Sequence, residues 1–450
     1  MKSFTSKLVT VCMVGLLLLV AGFTLRMVVN DRLENRNQAR ASIAQSLGAE
    51  QTLAGVTLAI SYTERYQEVV VDPNTSATRT VSRKIAHRYE VMPEHFDLKG
   101  QLITDPRYRG LFRVNGYQLE GVLSGDFAIP ALERLPRDRS ESQIELGPAW
   151  MVLAVSDPRG LRKLDMKLAD VARNAEPGVG NGSNRHGASA RLDDINELLG
   201  RTARFSVNLE LVGTDSLNVV PLGRDNSATL TSPWPHPSFG GRFLPSERKV
   251  DQHGFSATWH ISALATNARE SWANKAATVE MDNFNISLID PVDIYVMADR
   301  ACKYAGLFIA ITLGGFLLFE LLRSLRLHAL QYLMIGAALL IFFLLLLSLS
   351  EHIGFGGAYL AASSACVLLI GIYSVHLLRS LWLAGAFSLG LGSLYAVLYV
   401  ILLSEQNALL MGSLLLFLLL AAVMLSTRSV DWHALLAERP ALKQEDSSGT

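Results

Sequence analysis

Six long apolar runs stand out in the pattern of hydrophobic and polar positions. One begins at Leu8, and five follow Cys302 in close succession. Each contains about 18–23 residues, which at about 1.5 Å per helical residue is enough to cross the hydrocarbon core of a bilayer. We therefore predict six transmembrane helices, the last five forming a domain over 304–427. Their bounds are 8–25, 304–322, 330–349, 355–377, 381–403 and 408–425.

The first run is predicted to be an uncleaved signal anchor over residues 1–25. Lysines precede it, and no small-x-small cleavage site precedes Arg26. A cleaved signal peptide is the alternative, because such peptides also begin with a basic stretch and an apolar run.

The long segment between the first two runs, residues 26–303, has a different pattern. A polar helical stretch to about Gly48 is predicted first, as a stalk leaving the membrane. Short segments rich in β-branched and aromatic residues follow, separated by Asp-Pro and glycine turns, and they indicate a β-rich domain. Residues 174–190, rich in Gly, Asn and Ala, are predicted to be a flexible loop. Two β subdomains divided near residue 180, or one large sandwich with a long loop, both fit this pattern. The predicted strands are 56–62, 68–71, 80–91, 117–127, 149–155, 205–212, 216–220, 228–231, 254–261 and 284–288.

Basic residues in the short loops predict the orientation, because cytoplasmic loops carry an excess of Lys and Arg. With the N-terminus inside, the two inner loops carry Arg323, Arg326 and Arg379, whereas the two outer short loops carry only Glu351 and Glu405 as charged residues. We therefore predict that both termini are cytoplasmic, including a tail over 428–450, and that residues 26–303 are periplasmic. Four arginines just after the first run oppose this assignment. They are Arg26, Arg32, Arg36 and Arg40.

Composition supports this division of the chain into a membrane part and a soluble-type part. Charged residues make up 18% of the chain, against roughly 25% in soluble domains, and only six of them lie within 304–427. This excludes a plain cytosolic enzyme. A net charge of zero gives no indication of nucleic-acid binding. The three cysteines lie at or within the apolar runs, so the β-rich segment has no internal disulfide.

Motifs for metal or covalent chemistry are weak. No histidines or cysteines have the close spacing of a zinc site, and a convergence of His236, His253 and His260 on one sheet is the remaining alternative. Ser246 and Lys249 have the S-x-x-K spacing of penicillin-recognising enzymes but lack the companion motifs. We therefore predict no catalytic residues, no metal and no cofactor.

The most distinctive segment is the proline-rich stretch over residues 229–245. Prolines at 233, 235 and 237 fix φ at alternate positions and favour extended backbone between them. The segment therefore presents Trp234, His236 and Phe239 on a stiff backbone. One interpretation is a binding edge for a peptide, a glycan or a protein partner. The other is a rigid plug whose aromatic rings cap the core of the β-rich domain.

Two polar residues in the predicted membrane helices are candidate functional residues, Glu320 and His376. Charged residues inside membranes are often functional. The structural alternative for Glu320 is an i,i+3 pair with Arg323 at the interface. No acid or base lies at the middle of a predicted span, so the usual pattern of a proton-coupled transporter is absent.

Several longer motifs resemble the CreD family of bacterial cell envelope integrity proteins. They are the stretch 229–245, SATWHISALATN at 256–267, the stretch 299–320, LHALQYL and SLSEHIGF within 327–355, and TRSVDW at 427–432. The resemblance implies an inner-membrane protein with a large periplasmic part, linked to a two-component regulatory system, envelope stress and antibiotic tolerance. It supplies no catalytic residues. The chain departs from the family at Val56 and Ser61, where prolines are usual.

From these observations we predict a membrane α-helical protein with a β-rich extracytoplasmic domain inserted between the first two transmembrane helices. Its partners are the lipid bilayer and an envelope protein or glycan, bound without catalysis. A lipid- or glycan-handling enzyme and a transporter are the alternative functions. The sequence defines no oligomeric state.

Overall fold

The computed structural model describes residues 2–71, 78–179, 185–290, 293–323, 327–404 and 408–428. The chain divides into two compact units: a helical unit comprising Met1–Asn35 and Val292–Thr450, and a β-rich unit comprising Arg36–Pro291. The first helix contributes residues to both units. The helices are α1 (Lys2–Leu47), α2 (Ala268–Ala273), α3 (Ile294–Lys303), α4 (Ala305–Arg323), α5 (Ala329–Leu378), α6 (Leu381–Leu403) and α7 (Ala408–Thr427).

Helices cover all six predicted apolar runs, but not as six separate elements. Among the described residues, α1, α5 and α6 are each long and apolar enough to cross a membrane, and α3 with α4, bent by 43°, forms a fourth candidate. Helix α5 has 50 residues and contains Gly354 at φ 75°, a non-helical conformation. The predicted runs 330–349 and 355–377 lie on opposite sides of this break. The structure thus has apolar helices of membrane-spanning length, and the number six stays a prediction.

The predicted polar continuation of the first helix is confirmed. Helix α1 ends at Leu47, and Gly48 follows with φ +120°, a conformation that glycine adopts without steric cost. A Cβ atom at Gly48 would also lie 3.0 Å from the carbonyl oxygen of Val212. The helix therefore ends where the chain turns into the first strand of the β-rich unit.

In the described part of the β-rich unit, sixteen strands form two eight-stranded sheets. All ten predicted strand segments lie within them. The strands are β1 (Gln51–Val71), β2 (Thr78–Val91), β3 (His95–Arg109), β4 (Phe112–Ala128), β5 (Gln143–Val155), β6 (Leu161–Leu168), β7 (Val171–Arg173), β8 (Ala175–Pro177), β9 (His186–Leu192), β10 (Thr202–Thr214), β11 (Ser216–Val220), β12 (Asp225–Ser232), β13 (Pro237–Gly241), β14 (Glu247–Asp251), β15 (Gly254–Ser262) and β16 (Phe284–Leu288).

Each sheet contains strands from both sides of residue 180. The first sheet has the order β13-β16-β11-β1-β5-β9-β8, with β2 paired to β1 off this path, and the second has the order β14-β15-β12-β3-β4-β10-β6-β7. A division into two β subdomains near residue 180 is therefore not what the structure has. The reason is long-range pairing: β1 pairs in parallel with β11, and β3 pairs in parallel with β12.

The two sheets share one hydrophobic core. Strands β10 and β12 alternate buried and more exposed residues, as expected for sheets with one face in a core. Strand β1 is buried on both faces from Gln51 to Ile60. Its second face packs in a smaller cluster with Trp272 of α2 and with Met281.

The predicted flexible loop over 174–190 is wrong for its described parts, which contain β8 and most of β9. Strand β9 pairs with β5 from Ala149 to Val155. Gly187 has φ +147°, and a Cβ atom there would overlap the carbonyl oxygen of Leu153. The small residues that suggested a loop instead allow two backbones to approach closely. Residues 180–184 of the predicted loop lie outside the described part of the chain.

Candidate functional site

The proline-rich segment crosses from one sheet to the other. Strand β12 of the second sheet ends at Ser232, and β13 of the first sheet begins at Pro237. Strand β13 lies at one end of its sheet and pairs with β16, its only partner among the described strands. The segment therefore forms a corner between the sheets and then an edge strand.

Two of the three predicted binding residues in this segment pack against the core. The Phe239 ring meets Phe255 and Trp259 edge-on, at centroid distances of 5.5 and 5.8 Å. The Trp234 indole N–H donates a hydrogen bond to the carbonyl oxygen of His236, at 3.0 Å. The His236 side chain is exposed. The aromatic rings thus hold the corner in place, whereas His236 and the outer edge of β13 face outwards.

A buried carboxylate, Glu64, organises a second polar site in the β-rich unit. Its oxygens accept hydrogen bonds from the backbone N–H groups of Asp138 and Arg139, at 2.9 and 2.7 Å, and lie 2.9 Å from Nε2 of His87. The His87 ring stacks on Tyr62, with centroids 5.1 Å apart. Because Tyr62 pairs with His87 across β1 and β2, this hairpin places the imidazole next to the carboxylate.

These contacts keep Glu64 ionised. The Ser142 hydroxyl, the backbone N–H groups of Asp138 and Arg139, and His87 lower the pKa of Glu64 to about 2, and they outweigh burial, which acts in the opposite direction. Burial raises the pKa of Tyr62, and the charge on Glu64 adds to this effect. Sequence reasoning missed this site because its residues belong to three segments, and Asp138 follows Glu64 by more than 70 positions.

The metal and catalytic motifs considered as alternatives in the sequence have less support than this site. In the described part of the chain, one group brings three possible metal ligands together, and it is Glu64, His87 and Asp138 rather than His236, His253 and His260. Strand β14 begins directly after Ser246 and contains Lys249. A strand does not provide the helical turn that brings the lysine of an S-x-x-K motif beside its serine.

In the helical unit, the Glu320 carboxylate is buried, ion-paired and hydrogen-bonded. Lys7 forms an ion pair with it. The Tyr332 hydroxyl donates a hydrogen bond to it at 2.8 Å, and the Leu327 backbone N–H donates another at 3.3 Å. The side chain of Arg323, the partner considered from the sequence, lies outside the described part. The contact with Lys7 joins residues 313 positions apart and could not be inferred from local spacing.

A second polar layer lies about one membrane thickness from Lys7 along α1. Arg26 pairs with Asp299 at 3.6 Å, and Arg32 lies 4.0 Å from Glu351. The Tyr295 hydroxyl also donates a hydrogen bond to Glu351, at 3.2 Å. Along α1, Arg26 lies about 20 residues and Arg32 about 25 residues after Lys7, which is roughly 30–40 Å and enough to cross a hydrocarbon core.

His376, the other predicted intramembrane polar residue, is exposed near the end of α5. The described contacts of Glu320 involve Lys7, Leu327 and Tyr332, and none of these contacts involves His376. The structure therefore separates the two candidates: Glu320 is buried among partners, and His376 is at the surface of its unit.

These features define an integral membrane protein that carries a large β-rich unit between its first helix and a group of apolar helices. A family model described as Inner membrane protein CreD matches residues 3–433. The Inner membrane protein CreD of Escherichia coli (strain K12) is 35% identical over 422 residues, covering 93% of this chain and 91% of that protein. The chain belongs to the CreD family of inner membrane proteins, which confirms the resemblance found in its motifs.

Solved structures add little to this assignment. Two crystal structures of a mutant M1 zinc metallopeptidase from Deinococcus radiodurans cover 44% of this chain and 42% of their own chain, with 10% identity and a TM-score of 0.23. A similarity this low supports no conclusion about fold or function.

Proposed function

We propose that this protein spans the inner membrane six times, with both termini in the cytoplasm and residues 26–303 in the periplasm. The basic residues of the short loops support this orientation. The pairing of Arg32 with Glu351 groups this end of α1 with the predicted outer turn. Lys7 and Glu320 then form the polar layer on the cytoplasmic side.

Single cysteines labelled by a membrane-impermeant maleimide in intact spheroplasts test this orientation. Leu264, 99% exposed in the β-rich unit, and Arg428, exposed after α7, are suitable positions in a chain whose three native cysteines are replaced. We expect labelling of the cysteine at position 264 in intact spheroplasts, and of the cysteine at position 428 only after lysis. Labelling at 428 in intact cells, or protection at 264, would contradict the orientation.

Within this topology, the β-rich unit acts without catalysis, by binding an envelope protein through strand β13. The observation that carries this proposal is the chemistry of the sheet edges. Proteins usually protect edge strands with charges, prolines or short length. Every residue of β14 except Val250 is charged, β7 and β8 have three residues each, and β2 carries several basic residues.

Strand β13 is also short and begins with a proline, but it differs from β14 and β2 in charge. It has five residues, none of them charged, and its neighbouring corner is held by Trp234 and Phe239. A fixed, uncharged edge can accept an extended segment of another protein by strand addition, because backbone hydrogen bonds supply most of the affinity. Prolines before the strand, and Pro237 at its start, which has no backbone N–H, limit the free edge to 238–241, which favours a short partner segment. The link to a two-component system and to envelope stress belongs to this proposal and rests on family membership.

Photo-crosslinking in intact cells tests the binding site. A photoreactive residue replaces His236, which is exposed beside β13, and a control probe replaces Leu264. We expect a discrete protein adduct from position 236 that is absent at 264. Adding Ser238→Lys, which places on β13 the kind of charge that protects β14, should abolish the adduct while leaving the protein level unchanged. Equal adducts from both positions, or a glycan in place of a protein, would overturn strand addition.

A further inference from the structure

We propose that Glu64, His87 and Asp138 form a binding site for a divalent transition-metal ion of the zinc class. Each residue offers one ligand atom, and these atoms all lie within 4.8 Å of one another. An imidazole nitrogen and two carboxylate oxygens form a donor set typical of zinc, whereas calcium and magnesium prefer sites composed of oxygen atoms. The site is separate from strand β13 and independent of the proposed strand addition.

Two of the three ligand atoms, those of Glu64 and His87, require only a small adjustment on binding, and the exposed Asp138 carboxylate must move closer from within 4.8 Å. Glu64 Oε2 and His87 Nε2 are 2.9 Å apart, with a hydrogen bond between them. Two ligands of a tetrahedral zinc ion, each about 2.0–2.1 Å from the metal, lie roughly 3.3 Å apart. A zinc ion can therefore replace the shared proton after the two side chains separate by about half an ångström. The metal binds the Nε2 lone pair, so a neutral His87 imidazole carries its proton on Nδ1, whereas a protonated imidazole releases one proton to solvent.

Neighbouring groups hold the first two ligands in place. The backbone N–H groups of Asp138 and Arg139 fix the Glu64 carboxylate. Each carboxylate oxygen has two lone pairs, so Glu64 can keep these hydrogen bonds and also bind a metal beside His87. The His87 ring is held by stacking on Tyr62. Such supporting contacts orient metal ligands and contribute to affinity.

Charge and exposure are also suitable. Two carboxylates and a neutral imidazole carry a charge of about −2, which a divalent cation neutralises. Glu64 is buried, His87 is partly exposed, and Asp138 is exposed, so an ion can enter from the side of Asp138 and retain a water as its fourth ligand. The ion would join the β1–β2 hairpin to the segment after β4, where the Tyr62 hydroxyl already donates a hydrogen bond to the Pro136 carbonyl oxygen at 2.7 Å.

Zinc titration of the full-length protein in detergent, after removal of metals with a chelator, tests the site. Calorimetry gives the stoichiometry, and the visible absorption of Co²⁺ reports tetrahedral coordination. His87→Gln and Asp138→Asn remove one ligand each. The matched control is His95→Gln, because His95 also pairs with a carboxylate, Asp126 at 2.8 Å, but belongs to no three-ligand group in the described chain.

We expect one zinc ion per chain, with the affinity lowered at least about tenfold in both ligand variants and unchanged in His95→Gln. Excess Ca²⁺ should not compete. Tryptophan fluorescence in urea, measured on the metal-free proteins, identifies any variant that is misfolded, and the second ligand variant then decides. Absence of zinc binding by the wild type up to about 100 µM, or equal affinity in wild type and both ligand variants, would overturn the proposal.

Discussion

Replacement of Phe239 by alanine measures how firmly the corner before β13 is held. The ring is partly buried and packs edge-on against Phe255 and Trp259. A fully buried Phe→Ala change costs about 3–5 kcal/mol. Edge-to-face pairs contribute about 0.5–1.5 kcal/mol each beyond the area they bury. Because Phe239 retains some exposure, we expect a loss of about 2 kcal/mol, which lowers the folded-to-unfolded ratio roughly 30-fold.

Urea unfolding of the full-length protein in detergent, followed by tryptophan fluorescence, measures this loss. Four of the six tryptophans lie in the β-rich unit, so the signal reports mainly on that unit. With a urea dependence of about 3 kcal/mol per molar, the midpoint should fall by roughly 0.7 M. Phe239→Leu should cost less than about 1.5 kcal/mol, because it retains most of the apolar volume.

The exposed control for this experiment is Leu264→Ala, which should change the stability by less than about 0.5 kcal/mol. Leu264 is 99% exposed and loses no packing when truncated. A midpoint for Phe239→Ala within about 0.2 M of the wild type, or a loss below about 0.6 kcal/mol, would refute the reasoning. The ring would then not stabilise the corner, and the rigidity argued for β13 would lose its basis.

Three further predictions concern single contacts. Lys7→Glu or Glu320→Lys alone should lower the amount of protein in the membrane, because each variant places like charges together. The double exchange should restore the amount, and a double variant no better than either single one would refute the ion pair. The hydrogen bonds that lower the pKa of Glu64 from 4.5 to about 2 stabilise the folded state above pH 4.5, and this contribution disappears as the pH falls towards 2. The stability difference between wild type and Glu64→Gln should therefore narrow over that range in urea midpoints, and a constant difference would contradict it. Gly254 has φ +138°, and a Cβ atom there would overlap a carbonyl oxygen at the end of β12, so Gly254→Ala should lower the stability by about 3 kcal/mol or more. Gly110 has φ +61° in open space, so Gly110→Ala should cost only about 1 kcal/mol in the same assay. Equal costs would refute the steric argument.

Local features were predictable from the sequence by itself. The apolar runs define the helices of the membrane part, because a helix satisfies its own backbone hydrogen bonds and needs only a sufficiently long apolar stretch. The polar continuation of α1 to Leu47 and its end before Gly48 were likewise local. Strands such as β10 and β15 were found because period-two alternation and β-branched residues are visible within a few positions.

The partners of these elements were decided only by the tertiary structure. A strand's alternation is the same whichever strand pairs with it, so the parallel pairing of β1 with β11 had no local signal. Strand β9 resembled a loop because its small residues serve close packing against β5, and their composition gave no indication of that contact.

The same limit applies to the candidate sites. Glu64, His87 and Asp138 come from separate segments, and Lys7 and Glu320 from opposite ends of the chain. Each residue alone resembles an ordinary polar residue. The sequence therefore determined the apolar helices, many of the strands and which part of the chain is suited to a membrane. The folded chain determined which polar groups meet, because such contacts depend on the path of the whole backbone.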